Sequence, residues 1–229
     1  TPVSGEGFPV RVMTYNLHNG SNTEANLNLE DMAQVIEDSH PDILALQEIS
    51  RGWVVSGRVD MLTWLSQRLE LPYVFGPTAD PFWGNAILSR YPIVEYAQYD
   101  LPPRDLFILR GFTVALIDLG NGQRLQVIAT HFHHLEEDTD IRQLQSNAIL
   151  DFWDDAACTV LMGDLNAEPH DPEMEMLRQA GLVDAIAGVE PPAYTYPSFN
   201  PERRIDYIWV SPDLTIGAAW VPVSTASDH

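Results

Sequence analysis

Short apolar runs of β type, each ending in a carboxylate, amide or imidazole, alternate along this chain with segments of helical period, and that alternation constrains the fold more than any other feature. The runs are VMTYN ending at Asn16, DILALQE at Glu48, LQVIATH at His131, and TVLMGDLN at Asp164 and Asn166. Apolar runs this short, bounded by turn residues, read as buried strands. The pattern predicts strands over Val10–Tyr15, Ile43–Leu46, Tyr73–Phe75, Asn85–Ser89, Ile93–Tyr99, Phe112–Asp118, Arg124–Thr130, Thr159–Met162 and Ile205–Val210. Gly120-Asn121-Gly122 between two of them predicts an antiparallel hairpin. Asn28 caps a predicted helix with Leu29, Met32, Ala33 and Ile36 on one face, stopped by Pro41. Asp60–Glu70, Ile141–Trp153 and Pro172–Ala180 are the other predicted helices. Strands outnumber helices and hairpins mix with helical crossovers, so the expected α/β architecture is two sheets packed face to face with helices outside.

A length of 229 residues without a Pro/Gly/Ser linker predicts one domain, with residues 1–9 as a flexible lead-in. No stretch approaches the roughly 18 apolar residues of a membrane span. The chain begins at Thr1, which is read as the loss of an upstream piece; that piece is where a membrane attachment or an extracytoplasmic address would lie. All 12 basic residues are arginine, against 33 acidic ones, for a net charge of −21. Such a charge repels polyanions, so duplex nucleic acid is disfavoured as a partner. Bound divalent cations reverse that sign locally and keep nucleic acid in play. The single Cys158, in AACTVLM, is expected to be a buried small hydrophobe, and the chain is expected to be a monomer.

Taken singly, the polar strand ends have bland explanations: Asn16 opens the turn LHNG, and Asp164 and Asn166 make Asx turns. Taken together with Asp206 in RIDYIWVS and the pair Asp228-His229, they supply what hard-metal phosphate chemistry needs. Oxygen ligands hold Mg²⁺ or Mn²⁺, a base positions water, and an imidazole serves the far side of phosphorus.

In order and wording, MTYNLH, PDILALQE, ATH, GDLNAEP, RIDYIWVS and SDH resemble the endonuclease/exonuclease/phosphatase superfamily, the group that includes deoxyribonuclease I. The resemblance runs from about Val10 to His229 and implies a four-layer α/β sandwich of two mixed, mainly antiparallel sheets. It implies that Glu48 is the principal metal ligand, with Asn16 and Asp228 in the metal and water shell. Asp164 would orient and deprotonate the attacking water, and Asn166 would hold a phosphate oxygen. His229 would stabilise or protonate the phosphoryl group, oriented by Asp206, and His131 matches a second active-site imidazole. Arg110, before the strand at Gly111, matches an arginine that reaches substrate phosphate; the plain alternative is a surface ion pair. Asn85 in WGNAILSR is a weaker candidate for the same role; His18, two positions after Asn16, is a candidate for a metal-shell or phosphate contact, with a turn histidine in solvent as the plain alternative.

HFHH at 131–134 also suggests zinc, but Leu135 stands where HxHxDH hydrolases place an aspartate, so His133 and His134 are expected in solvent or on the cleft rim. Relatives continue beyond SDH into a last strand, so the sequence ending at His229 is read as stopping short of the protein's end. The expected activity is Mg²⁺- or Mn²⁺-dependent phosphoester hydrolysis, with a small or lipid-linked phosphate as substrate. The alternatives are a deoxyribonuclease-like endonuclease and a non-catalytic module that keeps the fold. WGNAILSRYPI and RIDYIWVSP look like the soluble domain of membrane proteins related to glycolipid-anchor remodelling. Trp53, Phe82, Trp83, Tyr194, Tyr196 and Phe199 are expected mainly to roof the core, and otherwise to grip a head group.

Overall fold

A computed structural model describes residues 8–189 and 193–229; most of the expected lead-in lies outside the described residues. The chain order is β1 (Val12–Asn16), α1 (Leu29–Ser39), β2 (Ile43–Ser50), α2 (Met61–Leu69), β3 (Tyr73–Asp80), β4 (Trp83–Ser89) and β5 (Ile93–Asp100). It continues with β6 (Gly111–Gly120), β7 (Gln123–His131), α3 (Thr139–Trp153), β8 (Thr159–Asp164), α4 (Pro172–Gln179), β9 (Val183–Asp184) and β10 (Asp206–Val210). One sheet has the order β1-β2-β4-β3 and the other β5-β6-β7-β8-β10-β9. Among the described residues only β1–β2 and β7–β8 pair in parallel. The Gly-Asn-Gly hairpin is antiparallel, with Phe112 opposite Thr130.

The period of two along each strand builds the layers. In β2, Leu44 and Leu46 face α1 and α2 through Met32, Ile36, Leu62 and Leu65. Ile43 and Ala45 face the other way, onto Ala115, Val127, Ala129 and Met162 of the second sheet. On that sheet's outer face Phe112, Ile128, Leu161 and Trp209 receive Ile149 and Trp153 of α3 and Met174 and Leu177 of α4. Three apolar cores between four layers make the expected sandwich.

Three local expectations change. Asn28 precedes α1 but gives that helix no side-chain cap; its Nδ2 bonds Asp31 instead. Cys158 is exposed, with its amide and Sγ on Asp213, because it occupies a left-handed turn (φ 52°) just before β8 rather than the strand. Strand β2 runs past Leu46 through a bulge: Leu46 pairs with Ala86 and Ile49 with Gly84, so Gln47 and Glu48 together oppose Asn85. Glu48 takes φ 54° there. The extra residue re-aims its side chain at the sheet's end, where the loops converge.

Candidate active site

The carboxyl ends of β1, β2, β7 and β8 and the amino ends of β4, β6 and β10 lie on one rim of the sandwich, because parallel and antiparallel neighbours alternate in that sense. Asp164 sits at its centre, 1% exposed. Its Oδ1 accepts the Asn166 amide at 3.0 Å and its Oδ2 accepts Asn16 Nδ2 at 2.9 Å. His131 Nε2 stands 3.3 Å and His229 Nε2 3.6 Å from the same Oδ2. Gly163, one residue earlier, allows this approach, since a Cβ there would lie 2.1 Å from the Thr130 carbonyl.

Asn16 joins the carboxylates. The His18 amide donates to its Oδ1 at 3.0 Å, which fixes Nδ2 as the edge turned toward Asp164 and, at 3.4 Å, Glu48 Oε1. Asn16 therefore presents its donors to the two carboxylates, with one lone pair of its oxygen on the His18 amide. The other Glu48 oxygen accepts Asn19 Nδ2 at 2.8 Å, and Asn19 Oδ1 in turn accepts the Trp83 indole at 2.7 Å. The sequence reading missed Asn19 by taking His18-Asn19-Gly20 as a plain turn; its signal was an asparagine in a left-handed position (φ 55°). The terminal segment is tied in by Ser227, whose hydroxyl donates to the Asn16 carbonyl at 2.8 Å. Asp228 Oδ1 lies 3.3 Å from His18 Nδ1, at the partly open mouth.

His229 Nδ1 is 2.8 Å from Asp206 Oδ2, and the ring packs 5.0 Å from that of Tyr196. Burial works against the charge on His229, but Asp206 and Asp164 outweigh it and raise its pKa to about 10. Burial likewise pushes Asp164 up to about 7, against the pull of His229 and with the push of Asp206. His131 goes the other way: burial, then Arg110, hold it well below the usual imidazole value. Two imidazoles at one carboxylate thus carry opposite protonation, the arrangement that separates acid from donor roles.

The remaining candidates are placed as follows. Arg110 is buried, with Nη1 3.0 Å from His131 Nδ1 and Nη2 3.4 Å from His134 Nδ1. The surface ion pair considered for it does not form: among the described residues it faces no carboxylate. Asn85 is buried and gives its Nδ2 to the Gly111 carbonyl at 3.0 Å, stitching the two sheets beside Arg110. Asn166 Nδ2 donates to the Phe132 carbonyl at 3.2 Å. His133 is not in solvent or at the rim: it is buried, 2.7 Å from Asp138, because Gln145 of α3 draws its backbone inward. His134 is exposed. Trp83 is buried, whereas Phe82, Tyr194 and Phe199 stand in solvent and do not roof the core.

Asp164, Asp206 and His229 bring ligand atoms within 4.8 Å of one another. Both His229 nitrogens are turned to carboxylates: Nδ1 is hydrogen-bonded to Asp206 at 2.8 Å, and Nε2 lies 3.6 Å from Asp164, beyond hydrogen-bond distance. The donor set at the mouth, Glu48 and Asp228 held by amide and hydroxyl donors, is all hard oxygen without a thiolate and suits a hard divalent cation.

The family model described as "Endonuclease/Exonuclease/phosphatase family" matches residues 13–229. The chain belongs to this family. Among curated relatives it is 25% identical to the uncharacterized protein YbhP of Escherichia coli K12, over all of this chain and 96% of that one. It is 26% identical to protein cwh43 of Schizosaccharomyces pombe, over 84% of this chain but 19% of the longer relative. The endonuclease/exonuclease/phosphatase crystal structure from Beutenbergia cavernae superposes with a TM-score of 0.79 at 24% identity, covering 96% of this chain and 69% of that one. The family is largely one of phosphoester hydrolases. No helix among the described residues is long and apolar enough to cross a membrane.

Proposed function

We propose that this chain is a divalent-metal-dependent phosphoester hydrolase acting by in-line attack of water on phosphorus. The observation that carries the reading is the convergence of Asn16, His131 and His229, from three separate segments, on the buried carboxylate of Asp164, whose other oxygen accepts the Asn166 backbone amide. Glu48, with Asp228 beside it, would hold Mg²⁺ or Mn²⁺, which when bound supplies Lewis-acid stabilisation of charge on the phosphoryl oxygens. Asp164, with a pKa near working pH, takes the proton from the attacking water. His229, kept charged by Asp206, faces the pentacoordinate phosphorus as donor or acid. His131 and Asn166 supply donors for the developing oxyanion, Asn16 keeps Glu48 and Asp164 apart and oriented, and His18 stands at the mouth. Arg110 and Asn85 serve the substrate side from behind, since both are buried.

A small or lipid-linked phosphate is preferred over duplex DNA. Arg51, Arg68, Arg90, Arg104, Arg178 and Arg203 each face a carboxylate on the surface, which leaves no free basic stripe for a polyanion. Phe82, Tyr194 and Phe199, together with Val54 and Val55, expose apolar surface on loops at the site end of the sandwich.

The test is turnover of an aryl phosphodiester by the purified chain with Mg²⁺ or Mn²⁺, with chelator as control. Turnover abolished in Asp164→Ala and Glu48→Ala, each with an unchanged circular dichroism spectrum, supports the reading. No turnover of the ester, of a phosphomonoester or of a lipid phosphodiester with either metal would make the chain a binding module.

A further inference from the structure

Arg110 is 3% exposed, its Nε is buried without a partner, and its charge is compensated only at a distance by Glu48 and Asp164. A buried cation without a contacting anion is costly, so its immediate neighbours need a reason. Those neighbours are the face of Trp83, 5.6 Å away, and two imidazole nitrogens, Nδ1 of His131 at 3.0 Å and Nδ1 of His134 at 3.4 Å. A guanidinium has five N–H donors and no acceptor. Each of the two nitrogens therefore offers a lone pair, and the hydrogen of each neutral ring is on Nε2. A tautomer that ordinary coordinates leave open is thus fixed by the chemistry of the partner. For His131 the Nε2 edge lies 3.3 Å from Asp164 Oδ2, which Asn16 Nδ2 already serves, so its hydrogen is left for a further oxygen in the cleft. His134 is an exposed residue whose Nε2 has no hydrogen-bond partner among the described residues, with His133 packed at 5.2 Å and Asp138 nearby.

We propose that Arg110 is a tautomer clamp: its forked guanidinium holds His131 and His134 together as Nε2–H donors, an inner one and an outer one, for the oxygens of a phosphate group in the cleft. Arg110 is then a positioning residue that acts through two imidazoles, and His134 becomes a specificity-determining residue at the rim. Burial and the adjacent guanidinium both disfavour a second positive charge on either ring, which agrees with the geometry. The donor role in turnover rests on the hydrolase reading above, but the tautomers do not.

The test is long-range proton–nitrogen correlation on the full chain labelled with ¹⁵N-histidine. Near neutral pH, His131 and His134 are expected to show a hydrogen-free Nδ1 and a protonated Nε2, a pattern that Arg110→Met, of similar length and without donors, should erase at both rings. A protonated Nδ1 at either ring of the unaltered protein, or an unchanged pattern in the variant, overturns the clamp. If Arg110→Met does not fold, Arg110→Lys keeps the charge but loses the fork: the pattern should persist at His131 and vanish at His134, and persistence at both overturns the forked contact. Added inorganic phosphate should shift both Nε2 signals in the unaltered protein and the His134 signal less in Arg110→Lys; Nε2 signals indifferent to phosphate overturn the donor role. All these readouts precede chemistry, so the clamp can fail while the ester is still hydrolysed, and the hydrolase reading can fail with the tautomers as described.

Discussion

Replacing Asp206 by asparagine tests how the site keeps one imidazole charged. The bond from His229 Nδ1 to Asp206 Oδ2 is 2.8 Å long and both side chains are 8% exposed. A buried hydrogen bond to a charged group contributes about 1.5–3 kcal/mol, and one pKa unit corresponds to about 1.4 kcal/mol. Asparagine keeps an acceptor for the Nδ1 hydrogen but removes the charge, so the pKa of His229 should fall by roughly one to two units from about 10. Because a raised imidazole pKa stabilises the fold below its unfolded value and loses that contribution as pH climbs through the folded value, the unaltered protein should lose stability between about pH 6.5 and 10. Asp206→Asn should show a shallower loss, ending at lower pH. In the pH profile of kcat for an aryl phosphodiester, the basic limb should move down by the same one to two units, while kcat at neutral pH, where His229 stays charged, should change far less. Chemical denaturation across pH and a histidine ring titration by NMR measure the two effects separately. A basic limb that stays in place, or a His229 that titrates near 6.5 in the unaltered protein, would refute the reasoning.

Other perturbations probe the supports of the site. Trp83→Phe removes the donor to Asn19 Oδ1 and loosens the amide that holds Glu48, so the apparent affinity for Mg²⁺ should weaken about 10- to 100-fold with kcat at saturating metal little changed, read from metal titrations of turnover. Gly163→Ala drives a Cβ against the Thr130 carbonyl and should cost about 1–3 kcal/mol in urea denaturation while also displacing Asp164. Glu173→Ala strands the buried Arg142, which also holds the Leu135 and Glu136 carbonyls, and should cost about 3–5 kcal/mol, more than Arg142→Met with Glu173→Leu together. Turnover of a small diester should respond weakly to salt, in contrast to the slope of about −0.9 per phosphate contacted for a duplex binder.

The layers were legible because their cause is local. The short apolar runs Ile43–Leu46 and Thr159–Met162 are a direct record of two buried faces, and the helical faces of 29–36 and 61–69 are records of one. The identities of the polar strand ends were legible for the same reason, as residues that break an apolar run. Their roles were not, because these depend on which atom of each side chain is left over after its neighbours have been served. Asn16 reads as a metal-shell amide, and the His18 amide on its oxygen turns its Nδ2 to Asp164 and Glu48. Arg110 reads as a phosphate contact or a surface ion pair, and two imidazole nitrogens, not a carboxylate, stand against its Nη1 and Nη2. Asn85 reads as a substrate residue, and one of its donors is on the Gly111 carbonyl. Each of these depends on contacts many residues apart in sequence, which no local pattern carries.

Backbone conformation divides the molecule in the same way. His18, Asn19, Glu48 and Asn166 all have φ between 43° and 55°, in the left-handed region that costs a side-chain-bearing residue about 1–2 kcal/mol. Three such residues elsewhere end helices, His40, Glu70 and Asp154 after α1, α2 and α3, where the conformation closes the last turn. At the rim they end nothing. Glu48 is in mid-strand, and its strain is the means by which a bulge turns a carboxylate out of the β2 pleat to meet Asn16 and Asn19. Glycine there would relieve the strain and remove the ligand, and a regular strand would spare the strain but point the carboxylate elsewhere. The fold tolerates that cost because three apolar cores stabilise the sandwich well away from the rim. Stability and chemistry are therefore carried by separate parts of the chain, the first by alternation within strands and the second by strained positions where strands stop alternating.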